Sequence, residues 1–268
     1  MTSIQELYGE LWAEESALEL ELERSLEPRG TEWLFETFAA LGPKRGELVV
    51  DVGSRDAGHA IRLVREHELH AIALDPVPLH VERARRAVAE AGLEDAVEIV
   101  EAGIEAMPLA DDLADWIWCR DVLAHVDQAR GFAECARILR PGGRMLAYVT
   151  LATELLEPRE AERLFEALAI VPESVDSAGL ENRAAAAGLK LVSSTRLEGE
   201  WRERMIEDGT WDPGDDLLRL SRLRRREGEL IERHGEAHVV ARAAGKLWGV
   251  YQLLGKLCPA VYLWERGA

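Results

Sequence analysis

Chemistry in this sequence would have to come from a glycine loop, three aspartates and a histidine. The short apolar run Leu48 to Val52 contains Asp51 and opens into Gly53-Ser54-Arg55-Asp56-Ala57-Gly58. Gly53 permits a tight turn and a close approach of backbone to a ligand. A second apolar run, Ala71 to Leu74, ends in Asp75, where a carboxylate can take both hydroxyls of a ribose. Further along, Trp116 to Cys119 leads into Arg120-Asp121-Val122-Leu123-Ala124-His125. Asp121 and His125 are four apart, so on a helical turn they would share a face. An amine must be neutral to act as a nucleophile, and histidine titrates nearest neutrality, so His125 with Asp121 could contact or deprotonate one. The other reading of His125 is a bridge between the following helix and a ligand loop.

The elements that must hold these residues follow from periodicity. Five apolar runs, 48–52, 71–74, 97–100, 116–119 and 144–149, alternate with helical stretches at 57–67, 79–91 and a third reaching Leu139. Strand and helix alternating, with nearly continuous apolar strands, predicts a parallel sheet covered on both faces. The turn Pro141-Gly142-Gly143 announces the fifth strand. Helices at 157–168 and 175–187, a strand at 189–195, a polar helical stretch over about 200–250 and an extended segment at 260–264 complete the chain. Residues 4–26 and 31–41 read as helices ahead of the first strand.

Ligands of open parallel sheets bind at the carboxyl ends of the strands, which is where Gly53, Asp75 and Asp121 fall. A dinucleotide site asks for G-x-G-x-x-G, so that pyrophosphate can close on the second glycine. Arg55 occupies that position here, and Asp51 is a poor neighbour for pyrophosphate. Both features favour S-adenosylmethionine over NAD as the nucleotide, while Asp75 suits either.

Taken in order, five segments resemble the successive motifs of class I S-adenosylmethionine-dependent methyltransferases. They are Val49-Val50-Asp51-Val52-Gly53, Ile72-Ala73-Leu74-Asp75, Glu105-Ala106-Met107-Pro108-Leu109, Trp118 to His125, and Leu139-Arg140-Pro141-Gly142-Gly143. The resemblance covers residues 30–150 in detail. It implies a Rossmann-like α/β sandwich: a mostly parallel seven-stranded sheet with helices on both faces, an N-terminal helix and a C-terminal helical insertion. It also implies that Gly53 lines the methionine part of the cofactor, Asp75 binds the ribose, and Ile104 and Glu105 flank the adenine. The Cys119 carbonyl would receive the methionine amino group, and Asp51, Arg55, Pro76, Gly103 and Arg120 would complete the cofactor site. The sequence departs from the family at Arg55, usually glycine, and at Gly103, often an acid that bonds the adenine amino group. The segment Arg120 to His125 is similar to the Arg-Asp-x-x-x-His run of phosphoethanolamine methyltransferases, which implies contact of Asp121 and His125 with an amine.

The rest of the chain is expected to enclose a substrate. Tyr8, Trp12 and Arg29 precede the core, and Trp201, Arg204, Trp248 and Tyr251 lie in the insertion, each as a pocket wall or as core filling. The expected organisation is one domain over 1–268: a helical lid at 1–29, a cofactor-binding core at 30–199, a substrate cap at 200–256 and a last strand at 257–268. A net charge of -18 repels nucleic acid backbones and anionic membranes, leaving a small molecule as the partner. Three scattered cysteines match no metal-site spacing and suit a reducing compartment, and the acidic N-terminus is unlike a secretory signal, so a cytoplasmic location is expected. The expected function is methylation of a small molecule, with an amine nitrogen slightly preferred. A non-catalytic adenosylmethionine-binding sensor or scaffold and an NAD-dependent oxidoreductase are the alternatives. The oligomeric state is not legible.

Overall fold

The computed structural model describes residues 3–6 and 17–267. Tyr8 and Trp12, two of the expected pocket residues, lie outside the described residues. Seven strands form one sheet: β1 Leu48–Val52, β2 His70–Asp75, β3 Val97–Glu101, β4 Ala114–Arg120, β5 Leu139–Ala152, β6 Leu189–Arg196 and β7 Leu257–Arg266. Their spatial order is β3-β2-β1-β4-β5-β7-β6, with β7 antiparallel to both neighbours and the remaining pairs parallel. The order reverses between β1 and β4, so the loops after these two strands open on one crevice. The antiparallel β7 between β5 and β6 also departs from the 3-2-1-4-5-6 order of dinucleotide-binding folds.

Each central strand serves two cores because its side chains alternate between faces. In β1, Val49 packs with Leu34, Phe35 and Phe38 of the helix Glu32–Ala40 and with Leu63 of the helix Gly58–His67. Val50 and Val52 face Phe132, Cys135 and Ile138 of the helix Gln128–Ile138 and Leu180 of the helix Ser177–Ala186. A strand buried on both sides has no room for a polar face, which is why the sequence shows runs rather than alternation.

Three local features differ from the sequence expectation. Pro141-Gly142-Gly143 lies inside β5, as an irregularity rather than a turn ahead of it. Leu139 pairs with Ala114 and Arg144 with Trp116, so the extra residues bulge outward, with Gly142 at φ 78°. The helix expected at 4–26 ends at Leu22; Ile4–Glu6 and Ala17–Leu22 are helical, residues 7–16 lie outside the described residues, and Leu18, Leu20 and Leu22 are exposed. The helical turn expected to align Asp121 with His125 begins only at Leu123, as a short 3-10 helix over Leu123–His125. Asp121 stands ahead of it with φ 57°, and its N–H donates to the Tyr148 carbonyl (3.0 Å). The two side chains therefore share no helix face.

The insertion between β6 and β7 is four helices, Glu200–Glu207, Pro213–Arg225, Glu227–His234 and Glu236–Leu253. The last of them packs on the helix Pro158–Leu168. No helix among the described residues is long and apolar enough to cross a membrane.

Candidate functional site

The loop after β1 is stitched to the end of β2. The N–H groups of Gly53 and Ser54 both donate to the Leu74 carbonyl, at 2.8 and 2.9 Å. The Arg55 N–H donates to Asp75 Oδ2 (2.9 Å), and Asp75 Oδ1 accepts from the Val77 N–H (2.9 Å) and meets His80 Nδ1 (3.0 Å). Gly53, Arg55 and Ala57 all adopt left-handed backbone, with φ of 72°, 53° and 60°. Arg55 thus takes the conformation that glycine adopts without steric cost, while its side chain stays exposed. At Gly53 glycine is required twice. Its φ is left-handed, and a Cβ there would stand 2.2 Å from Cγ2 of Val122. The close neighbour of this glycine is therefore the loop after β4, which carries Asp121.

Beneath the loop, Asp51 is 1 % exposed, and its one hydrogen bond among the described residues comes from the Ala60 N–H (3.2 Å). Burial pushes its carboxyl up to about 7, with a smaller contribution from the negative charges of Asp75 and Asp56. Ser54 Oγ is buried with no hydrogen-bond partner among the described residues. An under-bonded carboxyl and an orphan hydroxyl flank the same turn, and both suit a polar, cationic ligand group. The donor set therefore fits S-adenosylmethionine. Asp51 and Gly53 stand at the end of β1 and Asp75 at the end of β2, beside the point at which the strand order reverses.

On the far side of β2, Pro76 and Gly103 are neighbours, a Cβ on Gly103 standing 3.9 Å from Cβ of Pro76. Ile104 is buried against Gly131, and Glu105 accepts the Asp127 N–H (2.8 Å), tying the β3–β4 connection to the start of the next helix. Cys119 lies in β4 opposite Val52 and Ala147.

Arg120 and Asp121 close β4 from above. Arg120 Nη1 meets His59 Nε2 (3.1 Å), and its guanidinium lies over Tyr148 and Trp201, 5.8 and 5.5 Å from the ring centroids. Those two rings stack with centroids 4.3 Å apart and planes 11° apart. His59 also takes the Trp118 Nε1–H (3.3 Å), and burial followed by the Arg120 charge lowers it to about 4, so it stays neutral. Asp121 sits deep in the cleft, with about half of its side chain accessible and its carboxylate 4.0 Å from Arg120 Nε. Desolvation raises its pKa, against the pull of Arg120, His125 and Arg202. His125 is exposed, and its Nδ1 donates to the Ala169 carbonyl (3.1 Å), which leaves Nε2 as the acceptor.

Of the residues expected in the cap, the structure brings Trp201 to this site, 4 % exposed on Tyr148. Arg204 instead pairs with Asp208 and packs over Gly30. Trp248 fills a core with Leu156, Leu164 and Phe165. Tyr251 contacts Glu160 and lines a cavity of about 610 Å³ between the helices Pro158–Leu168, Pro213–Arg225 and Glu236–Leu253. No residue of the β1, β2 or β4 loops lines that cavity. Arg29 ties the chain ahead of the core to the cap through an ion pair with Glu200. Sequence reasoning missed His59 and Tyr148. Each is an ordinary residue of a helix or strand, and only the cleft walls make it notable.

Residues 50–147 match the methyltransferase domain family model. Dimethylglycine N-methyltransferase of Parasynechococcus marenigrum is 39 % identical over 102 residues, 37 % of this chain and 36 % of that protein. Sarcosine/dimethylglycine N-methyltransferase of Halorhodospira halochloris is 28 % identical over 204 residues, 75 % of this chain and 67 % of that protein. The chain thus spans from about a third to two thirds of the length of these relatives. Among solved structures, phosphoethanolamine N-methyltransferase 2 of Haemonchus contortus, in complex with phosphomonomethylethanolamine and S-adenosylhomocysteine, superposes with a TM-score of 0.69. It is 15 % identical, and the match covers 90 % of this chain and 54 % of that one. By strand order and this structural neighbour the chain has the Rossmann-like fold of the class I methyltransferases, and its match to a methyltransferase domain spans residues 50–147.

Proposed function

We propose that this protein is an S-adenosylmethionine-dependent enzyme that methylates an amine nitrogen of a small molecule. The observation that carries this reading is Asp121, an accessible carboxylate deep in the cleft, on the loop whose Val122 touches Gly53. An amine N–H has an acceptor there, beside the loop expected to hold the cofactor. Two relatives named for dimethylglycine support nitrogen as the acceptor atom.

Adenosylmethionine, when bound, supplies a sulfonium methyl group open to attack by a neutral nucleophile. The chain's own residues do the rest. Asp51, Gly53 and Cys119 hold the methionine end, Asp75 the ribose, and Pro76, Gly103, Ile104 and Glu105 the adenine edge. Asp121 accepts the N–H of the protonated amine and takes its proton, which frees the lone pair for attack. A carboxylate with a raised pKa is also a better proton acceptor than an exposed one. The wall of Arg120, Tyr148 and Trp201 keeps water from the reacting atoms. His125 acts as a positioning residue: its ring is tied to the segment after the helix Pro158–Leu168, which also binds the 3-10 helix through the Val171 N–H and the Ala124 carbonyl (2.9 Å). The charge of -18 and the three free, buried cysteines support a cytoplasmic small-molecule enzyme rather than a nucleic acid modifier.

Transfer of a labelled methyl group to a panel of small amines, alcohols and activated carbon acids tests this. Nitrogen products are expected, with Asp121→Asn lowering kcat/KM by about 100-fold at unchanged cofactor affinity. Methylation of oxygen or carbon acceptors alone would overturn the nitrogen assignment. Cofactor binding without turnover on any acceptor would make the protein a sensor.

A further inference from the structure

Asp75 carries more donors than its orientation requires. Its Oδ2 accepts the Arg55 N–H (2.9 Å), and its Oδ1 accepts the Val77 N–H (2.9 Å). One backbone donor on each oxygen already fixes the plane of the carboxylate. A third donor comes from the first turn of the helix Pro78–Ala91, where His80 Nδ1 stands 3.0 Å from Oδ1. A carboxylate only accepts, so this ring nitrogen donates.

Counting acceptors shows what the third bond does. A carboxylate offers about four lone-pair sites, two on each oxygen. Val77 and His80 fill those of Oδ1, and Arg55 takes one on Oδ2. A single site is left, whereas a ribose brings two hydroxyl donors, one for each oxygen. One of the three present donors must therefore leave. The Arg55 N–H is set by the path of the β1 loop, and the Val77 N–H by the turn into the helix. The imidazole is free to move. Its side chain is 30 % exposed against 6 % for Asp75, and no other hydrogen bond holds the ring among the described residues.

We propose that His80 is a placeholder on Asp75: its ring holds the lone pair that a ribose hydroxyl takes, and it swings aside when the nucleoside binds. The inference rests on the ribose reading of Asp75 and adds a residue that contests it. Cofactor and product carry the same ribose, so the placeholder weakens both, and it returns as S-adenosylhomocysteine leaves. His80 acts through Asp75 and is a positioning residue, with no part in the methyl transfer itself.

The experiment titrates S-adenosylhomocysteine, and an analogue lacking both ribose hydroxyls, into the wild type, His80→Leu, His80→Asn and Asp75→Ala. His80→Leu should bind S-adenosylhomocysteine about three- to tenfold more tightly, the worth of one competing hydrogen bond. Its affinity for the hydroxyl-free analogue should equal that of the wild type. His80→Asn, whose amide keeps a donor near the position of Nδ1, should stay close to the wild type with both ligands. In the wild type, the His80 Nδ1 resonance, assigned by its loss in His80→Asn, should shift with S-adenosylhomocysteine and stay in place with the analogue. That signal decides the matter even if His80→Leu does not fold. Equal or weaker S-adenosylhomocysteine binding by His80→Leu overturns the inference. So does a gain shared by both ligands, or an Nδ1 resonance that S-adenosylhomocysteine leaves unmoved. If Asp75→Ala binds S-adenosylhomocysteine as tightly as the wild type, the ribose reading fails and the placeholder falls with it. A loss in Asp75→Ala without a gain in His80→Leu removes the placeholder alone.

Discussion

A carboxyl that titrates near 7 inside a folded protein weakens the fold as pH rises, and Asp51 is such a group. Unfolded, it ionises near 3.8; folded, burial holds its proton to about 7, so between these values the native state binds the extra proton and stability falls. The full penalty above pH 7 is on the order of 4 kcal/mol. Asp51→Asn should therefore raise the melting temperature at pH 8 and leave it little changed at pH 4, while weakening cofactor binding, because a cationic amino group prefers the carboxylate. Scanning calorimetry at both pH values checks the first effect and cofactor titration the second. At Gly53 the expectation is a loss. Gly53→Ala combines a left-handed φ, costing about 1–2 kcal/mol, with a 2.2 Å encounter with Val122, so denaturant melts should show at least about 2 kcal/mol lost. Adding Val122→Ala should recover part of it, and a strictly additive pair would show that the contact is not the cause. The strand-end positions of Asp51, Gly53 and Asp75 were legible because an apolar run that stops at a glycine or an acid is a local signal. The role of His59 was not, since only the fold brings this residue of the helix Gly58–His67 to Arg120 and Trp118.

The elements were read more completely than their joints. All seven strands stand within a few residues of their expected positions because a doubly covered sheet writes itself as apolar runs. The bulge in β5 and the short 3-10 helix at Leu123 depend on backbone torsions, Gly142 and Asp121 at positive φ, that no periodicity encodes. Only the second borders the cleft; the bulge lies at the other end of the strands, beside Ala114 and Trp116. Trp201 on Tyr148 holds the first cap helix to the sheet, while the last cap helix packs on Pro158–Leu168 and on β7. Trp201→Ala should cost about 3–5 kcal/mol by cavity formation. It should also speed limited proteolysis within 200–256 before the core is cut. Cleavage of core and cap at equal rates would show that the cap is held elsewhere.

At the scale of the whole molecule, a net charge of -18 on 268 residues is a self-repulsion that salt screens. Raising sodium chloride from 20 to about 200 mM should raise the melting temperature, and a fall would mean that specific ion pairs outweigh the global field. The strand order, the β1–β4 crevice and the loop stitched between β1 and β2 all converge on one ligand position, and the account depends on what binds there. Isothermal titration of the wild type and Asp75→Ala with S-adenosylmethionine and with NAD tests it most directly. The account predicts saturable one-to-one adenosylmethionine binding, at least tenfold weaker in Asp75→Ala, and no NAD binding. NAD binding without adenosylmethionine binding, or an affinity indifferent to Asp75, would contradict it.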